Sequence, residues 1–221
     1  MNTRALASIP VKPAFVAFTG VDRLDLLPGM RALSRRYPIE WGVLVKDEEP
    51  GNALFPDGGI RTALLQAGQL RFAAHVCGEA ARAIASGGES GFEPAGFTRI
   101  QVNHGFSGSS ETQIAHVRAY GERTGRRMVL QTLDAFPEDA SVDWLYDVSF
   151  GTGKTPGVWP RLPENGGFCG YSGGLGPATI ARAVAEIGAP APHWLDMESA
   201  IRTGGWLDLD KCAAVCAALF G

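Results

Sequence analysis

The sequence predicts an α/β protein, a (β/α)8 TIM barrel with some short or missing helices, built from residues 1–221 as a single domain. Three observations predict it. Short apolar runs alternate with amphipathic stretches along the whole chain, the pattern of a parallel sheet with crossover helices. Eight such units follow one another, more near-regular units than a doubly wound open sheet usually needs. The length of 221 residues suits one barrel, and a hydrophobic fraction of 45% is ample for one core.

The elements follow in order. FVAFT (15–19) reads as strand one, and 24–37 as its helix, closed by Pro38. IEWGVLV (39–45) is strand two; a polar loop leads to a helix over 60–69. RFAAHVC (71–77) is strand three, with a short helix over 79–85. TRIQVN (98–103) is strand four; Ser109 or Ser110 caps the next helix, which ends near Thr124 and Gly125. RMVLQ (127–131) is strand five, with one helical turn expected over 136–140. VDWLYDV (142–148) is strand six, followed by a glycine-rich loop with little helix behind it. Strand seven covers 167–171 and its helix 179–187, with Pro177 suited to the first helical turn. HWLDM (193–197) is strand eight, and an apolar helix over 209–219 closes the unit.

A formal net charge of −3 and basic runs no longer than Arg35–Arg36 and Arg126–Arg127 argue against a nucleic-acid partner. No apolar run approaches the roughly 20 residues of a membrane helix, so no membrane partner is expected. The first fifteen residues lack an apolar signal core, which predicts a cytoplasmic protein; a monomer or homodimer is expected. Cys77, Cys169, Cys212 and Cys216 are scattered; Cys212 and Cys216, four apart in an apolar helix, read as buried free thiols. No metal and no cofactor is expected, since neither a CxxC pair nor an HExxH motif is present.

In a barrel of this kind the site lies at the C-terminal ends of the strands, and a phosphate often sits after strands seven and eight. The segment GYSGGLGPATIARA (170–183) fits that place. Ser172, Gly173 and Gly174 carry no bulk that would keep a ligand off the backbone, and a glycine turn before a helix start offers amide donors to an anion. Equally, those glycines can serve a tight turn alone. Asp147 follows WLY, so strand six delivers it to the barrel mouth, as a general acid or as an anchor for the next loop. Thr19, Lys46, Cys77, His104, Glu198 and Ser199 stand at other strand ends. The run Gly151-Thr152-Gly153-Lys154-Thr155 is no P-loop, because Val148 occupies the place of that motif's first glycine; a mobile lid carrying one lysine fits better. A metal alternative would have His75, His104, Asp147 and Glu198 converge on one ion. Lys46 could form a Schiff base if desolvated, but Asp47, Glu48 and Glu49 predict an ion-paired lysine.

Asp147, GTGKT (151–155), Trp159, SGGLGP (172–177) and DMESAIRT (196–203) together resemble the phosphoribosylanthranilate isomerase family in order and spacing. VAFTGVD, WGVLV and VNHG resemble it only in outline. The resemblance implies a small phosphorylated substrate, its phosphate held by Gly173, Gly174, Ser199 and Ala200, with Asp147 as the acid. It also implies a cysteine base at the end of strand one, where this chain has Thr19, and a second-strand arginine that has no clear counterpart here. A threonine hydroxyl is a far weaker base than a thiolate. Glu198 replaces one of the paired serines of strand eight, and its charge is unfavourable beside a phosphate unless Lys154 or Arg202 offsets it. The expectation is therefore a divergent member: an isomerase or lyase for a small phosphorylated sugar-like compound. Cys77, His104 or Glu198 would be the replacement base. Two alternatives stand beside it, the isomerase itself with a displaced base and a ligand-binding or regulatory protein without turnover.

Overall fold

The computed structural model of the protein describes residues 11–49, 54–105 and 108–221. Eight parallel strands close into a barrel in the order β1 to β8, with β1 paired to β8. They are β1 Phe15–Thr19, β2 Ile39–Val45, β3 Phe72–Val76, β4 Arg99–Val102, β5 Arg127–Thr132, β6 Asp143–Tyr146, β7 Cys169–Tyr171 and β8 Trp194–Met197. The helices are α1 Leu27–Ser34, α2 Gly58–Gln66, α3 Gly78–Ala85, α4 Glu111–Thr124, α5 Ile180–Ile187 and α6 Leu209–Phe220. A short hairpin, β9 Arg202–Thr203 with β10 Trp206–Leu207, follows β8; nothing in the eightfold pattern announces it.

Local chemistry explains most boundaries. Ser110 caps α4 in a full capping box with Gln113, and Gly125 closes that helix in the left-handed conformation at φ 66°. The helical stretch expected over 24–37 is instead a 3₁₀ turn, Leu24–Leu26, running into α1, with Pro28 in the first turn. The helical turn expected over 136–140 does not form. Asp139 there accepts the Ser141 N–H through its side chain, and its carbonyl takes the Trp144 indole, so the segment is tied down as loop. Pro177 lies in a turn before α5 rather than inside the helix, which Thr179 enters two residues later.

The barrel interior is layered by strand parity. Near its N-terminal end, alternate strands contribute Glu40, Arg99, Asp143 and Trp194. Arg99 Nε and Nη2 meet Glu40 Oε1 at 3.0 and 2.6 Å, and the guanidinium lies 4.2 Å from the Trp194 ring centroid. A buried fork of this kind satisfies charges that would otherwise be costly to desolvate. Two glycines make room for larger neighbours. A Cβ at Gly170 on β7 would fall 2.1 Å from the Trp194 ring, and one at Gly42 on β2 would fall 2.4 Å from Thr19 Oγ1. Because side chains alternate along a strand, the same parity carries upward to the C-terminal rim.

Candidate active site

At that rim is a cavity of about 450 Å³, within the usual range for a small-molecule site. All four residues expected to be catalytic, Thr19, Cys77, His104 and Asp147, line it. So do Gly151, Gly153, Ser172, Gly173, Gly174, Glu198 and Ser199. Lys154 and Ala200 do not: Lys154 is exposed, and a Cβ at Gly176 would meet the Ala200 methyl at 2.5 Å, so Ala200 packs against the turn between β7 and α5.

Three loops meet at the late-strand end of the cavity. Gly173 and Gly174 have φ of 113° and 63°, a region glycine enters at little cost. The loop after β6 closes against them: a Cβ at Gly174 would lie 2.2 Å from Thr155 Oγ1, and one at Gly153 2.5 Å from Ser199 Oγ. Ser172 gives its N–H to the Tyr146 carbonyl, extending the ladder by one residue. Among the described residues, neither Gly173 nor Gly174 gives its N–H to a backbone carbonyl, and neither do Ser199 and Ala200.

Asp147 is more heavily engaged than expected. Its Oδ1 accepts from Ser149 N and Oγ, both at 2.8 Å, and from Phe150 N at 3.1 Å. Its Oδ2 accepts from Gln131 Nε2 at 3.1 Å. One oxygen thus pins the loop that follows, the role offered as the alternative to acid catalysis.

The three candidates for a replacement base separate clearly. Burial pushes the Cys77 thiol up, only partly countered by the Asn103 amide 3.4 Å from Sγ, so it is a poor thiolate. His104 Nε2 lies 2.8 Å from Ser109 Oγ and Nδ1 lies 3.5 Å from Gln113 Nε2, which ties the ring to the start of α4. Burial pushes Glu198 up to about 7, with Asp147 repulsion adding to it and Arg202 attraction opposing it. Arg202, not Lys154, supplies that offset, and only in part. Its guanidinium is committed to the Gly20 carbonyl at 2.8 Å, to Asp22 Oδ2 at 2.8 Å and to the Gly205 carbonyl.

The metal alternative does not assemble. Among the described residues no three His, Cys, Asp or Glu side chains are grouped to hold an ion. Lys46 is ion-paired to Glu49, which raises its pKa and removes the Schiff-base option.

One group was missed. Asp196, on β8 two residues before Glu198, is only 6% exposed yet lines the cavity. Thr19 Oγ1 donates to its Oδ1 at 2.9 Å, and His75 Nε2 lies 3.4 Å from the Thr19 oxygen and 3.7 Å from Asp196 Oδ2. Burial pushes Asp196 up to about 8 and His75 down to about 3. The signal was present in the alternation of β8, which sets Trp194, Asp196 and Glu198 on one face.

No protein-family model matches the chain, and no curated protein matches it. Among solved structures it is similar to phosphoribosyl anthranilate isomerase from Thermococcus kodakaraensis, at 16% identity and TM-score 0.60, covering 96% of this chain and all of that one. The Thermotoga maritima enzyme of the same name aligns at 14% identity and TM-score 0.62, over 93% of this chain and 98% of that one. A 3-keto-L-gulonate-6-phosphate decarboxylase from Vibrio cholerae aligns at 12% identity and TM-score 0.51, over 95% and 98% of the two chains. Identities this low establish the barrel fold and leave the chemistry to the site.

Proposed function

We propose that the protein is an isomerase-type enzyme acting on a small phosphorylated sugar-like substrate at the C-terminal rim of the barrel. The observation that carries this reading is the set of uncommitted amides at Gly173, Gly174 and Ser199 at one end of the cavity. Backbone N–H groups in such a turn favour a phosphate oxygen and need no side-chain charge. The rest of the cavity is walled by carboxyl groups from different strands, Asp147, Asp196 and Glu198. Moving a proton between neighbouring carbon and oxygen atoms of a sugar needs positioned proton donors and acceptors of this kind.

Glu198 replaces the cysteine base of the resembled family. A carboxyl pushed to about 7 is half ionised at neutral pH and strongly basic for its class. The named neighbours, two isomerases and a decarboxylase whose substrate name includes a 6-phosphate, are compatible with this reading. The test is calorimetric titration with inorganic phosphate, followed by NMR assay of aldose and ketose phosphates and of phosphoribosylanthranilate. Saturable phosphate binding with interconversion of one of these supports the proposal. Turnover of phosphoribosylanthranilate alone would narrow it to the standard isomerase. Binding without conversion would leave a ligand-binding protein on this fold.

A further inference from the structure

Resting on that reading, we infer that Gln101 and Gln131 set specificity by accepting two hydroxyl protons of the substrate, which is therefore polyhydroxylated at the end remote from its phosphate. Three features of the β4–β5 wall support this. Both side chains line the cavity, and Gln101 is only 5% exposed. The nitrogen of each carboxamide is tied to the protein: Gln131 Nε2 donates to Asp147 Oδ2 at 3.1 Å, and Gln101 Nε2 donates to Asn103 Oδ1 at 2.9 Å. The two carboxamide oxygens accept from no described residue. Neither is sealed as Asp196 Oδ2 is, so each keeps an open face on the cavity.

Their orientation follows from their partners. A carboxylate is an acceptor alone, so Asp147 meets the amino end of Gln131 and the carbonyl end points away. For Gln101 the direction is set by a chain. Cys77 Sγ donates to the His75 carbonyl at 3.8 Å, which leaves the sulfur as acceptor for the Asn103 amino group at 3.4 Å. Asn103 then turns Oδ1 toward Gln101, and Gln101 turns its amino group back to it. The Gln101 oxygen is the free end of that chain. Cys77 belongs to the frame that orients it.

Strand order puts this acceptor pair across the barrel from the glycine turn. Gly173 and Gly174 follow β7, Ser199 follows β8, and β4 stands four strands from β8 either way round the closed ring. Gln101 pairs in register with Val129, so Gln131 lies two residues nearer the rim on the neighbouring strand. A ligand held by its phosphate at the late strands meets these oxygens with its far end. Sugar hydroxyls supply the donors that the oxygens lack. An alkyl chain in the same place would leave both acceptors desolvated and unpaired, which is the source of the discrimination.

The experiment titrates wild type, Gln101→Met and Gln131→Met by calorimetry. The ligands are inorganic phosphate, pentyl phosphate, ribose 5-phosphate, ribulose 5-phosphate, glucose 6-phosphate and fructose 6-phosphate. Wild type should bind the best of the sugar phosphates at least about tenfold more tightly than pentyl phosphate. Each Met variant should lose about tenfold of that preference, with affinity for inorganic phosphate within about threefold of wild type. NMR on wild type gives a readout that needs no variant to fold. The side-chain NH2 signals of Gln101 and Gln131 should move with the preferred sugar phosphate and stay in place with pentyl phosphate. Pentyl phosphate bound as tightly as every sugar phosphate, an unchanged preference in the variants, or NH2 signals that ignore the sugar overturns the assignment while the parent reading stands. No binding of inorganic phosphate or of any phosphate ester by wild type sinks the parent reading, and this one with it.

Discussion

The Thr19 hydroxyl donates to Asp196 Oδ1 across 2.9 Å, joining the ends of β1 and β8 at the position where the resembled family carries its cysteine base. That contact makes Thr19 a donor to a buried acid rather than a base of its own.

The first prediction concerns stability. The folded state raises Asp196 to about 8, so folding favours its neutral form. That contribution is complete below the unfolded value near 4 and is lost as pH climbs through about 8. Asp196→Asn keeps an acceptor for Thr19 and removes the titration. Its thermal midpoint should exceed wild type above pH 8, by about 2–5 kcal/mol of stability, and the gap should close at pH 4. Parallel midpoints across that range would contradict the burial argument.

A second prediction concerns charge beside the cradle. A Cβ at Gly151 would lie 3.4 Å from Glu198 Oε1, so the carboxylate stands close to the loop after β6, which on the proposed reading borders the anion. Sulfate, whose charge does not change near neutrality, is the clean probe. Wild-type affinity for sulfate should fall about tenfold, or ~1.4 kcal/mol, as Glu198 ionises between pH 6 and pH 8. Glu198→Gln should show a much shallower fall, since only Asp196, raised to about 8, begins to ionise over that range, and should lose turnover. An equally steep fall in the variant would place the responsible group elsewhere.

Much of this was legible in the sequence, for physical reasons that differ by element. The bounds of β1 and β2 are visible because apolar runs stop at Gly20 and start after Pro38. Ser110 announces α4 through its capping chemistry. The 136–140 segment and Pro177 misled, since local propensity was overruled by hydrogen bonds to Asp139 and by the geometry of the turn before α5. The rim residues were legible from strand ends alone. Asp196 was not, because its burial and its contact with Thr19 depend on how β8 meets β1. Its raised pKa comes first from burial, with Asp147 and Glu198 adding to it and Thr19 on β1 and Arg99 on β4 opposing it, a setting that no single stretch of sequence displays.

The third prediction tests the barrel floor. Arg99→Met removes the partner of Glu40, which is fully buried. Stranding that carboxylate should cost about 3–5 kcal/mol. Arg71 remains as a half-exposed partner at 2.9 Å and sets the lower end of that range. Denaturant titration of Arg99→Met and of the paired change Arg99→Met with Glu40→Gln measures it, and the double variant should recover part of the loss. A neutral Arg99→Met would show that the network is not holding the strands together.

A fourth concerns the cradle itself. Gly174→Ala meets both a left-handed backbone at φ 63° and a contact of 2.2 Å with Thr155 Oγ1. The loop after β6 must then move away, and phosphate affinity should drop at least about tenfold, or ~1.4 kcal/mol, with the barrel still folded by circular dichroism. Retained affinity would mean that the loops do not need to close on the ligand.

The most direct measurement is an amide NMR titration with inorganic phosphate, resolving Gly173 and Gly174. Saturable downfield shifts of both amides, with Ser199 following the same curve, are the expected result. Shifts confined to surface arginines, with the two glycine amides unmoved at saturation, would contradict the proposal that this rim grips a phosphate.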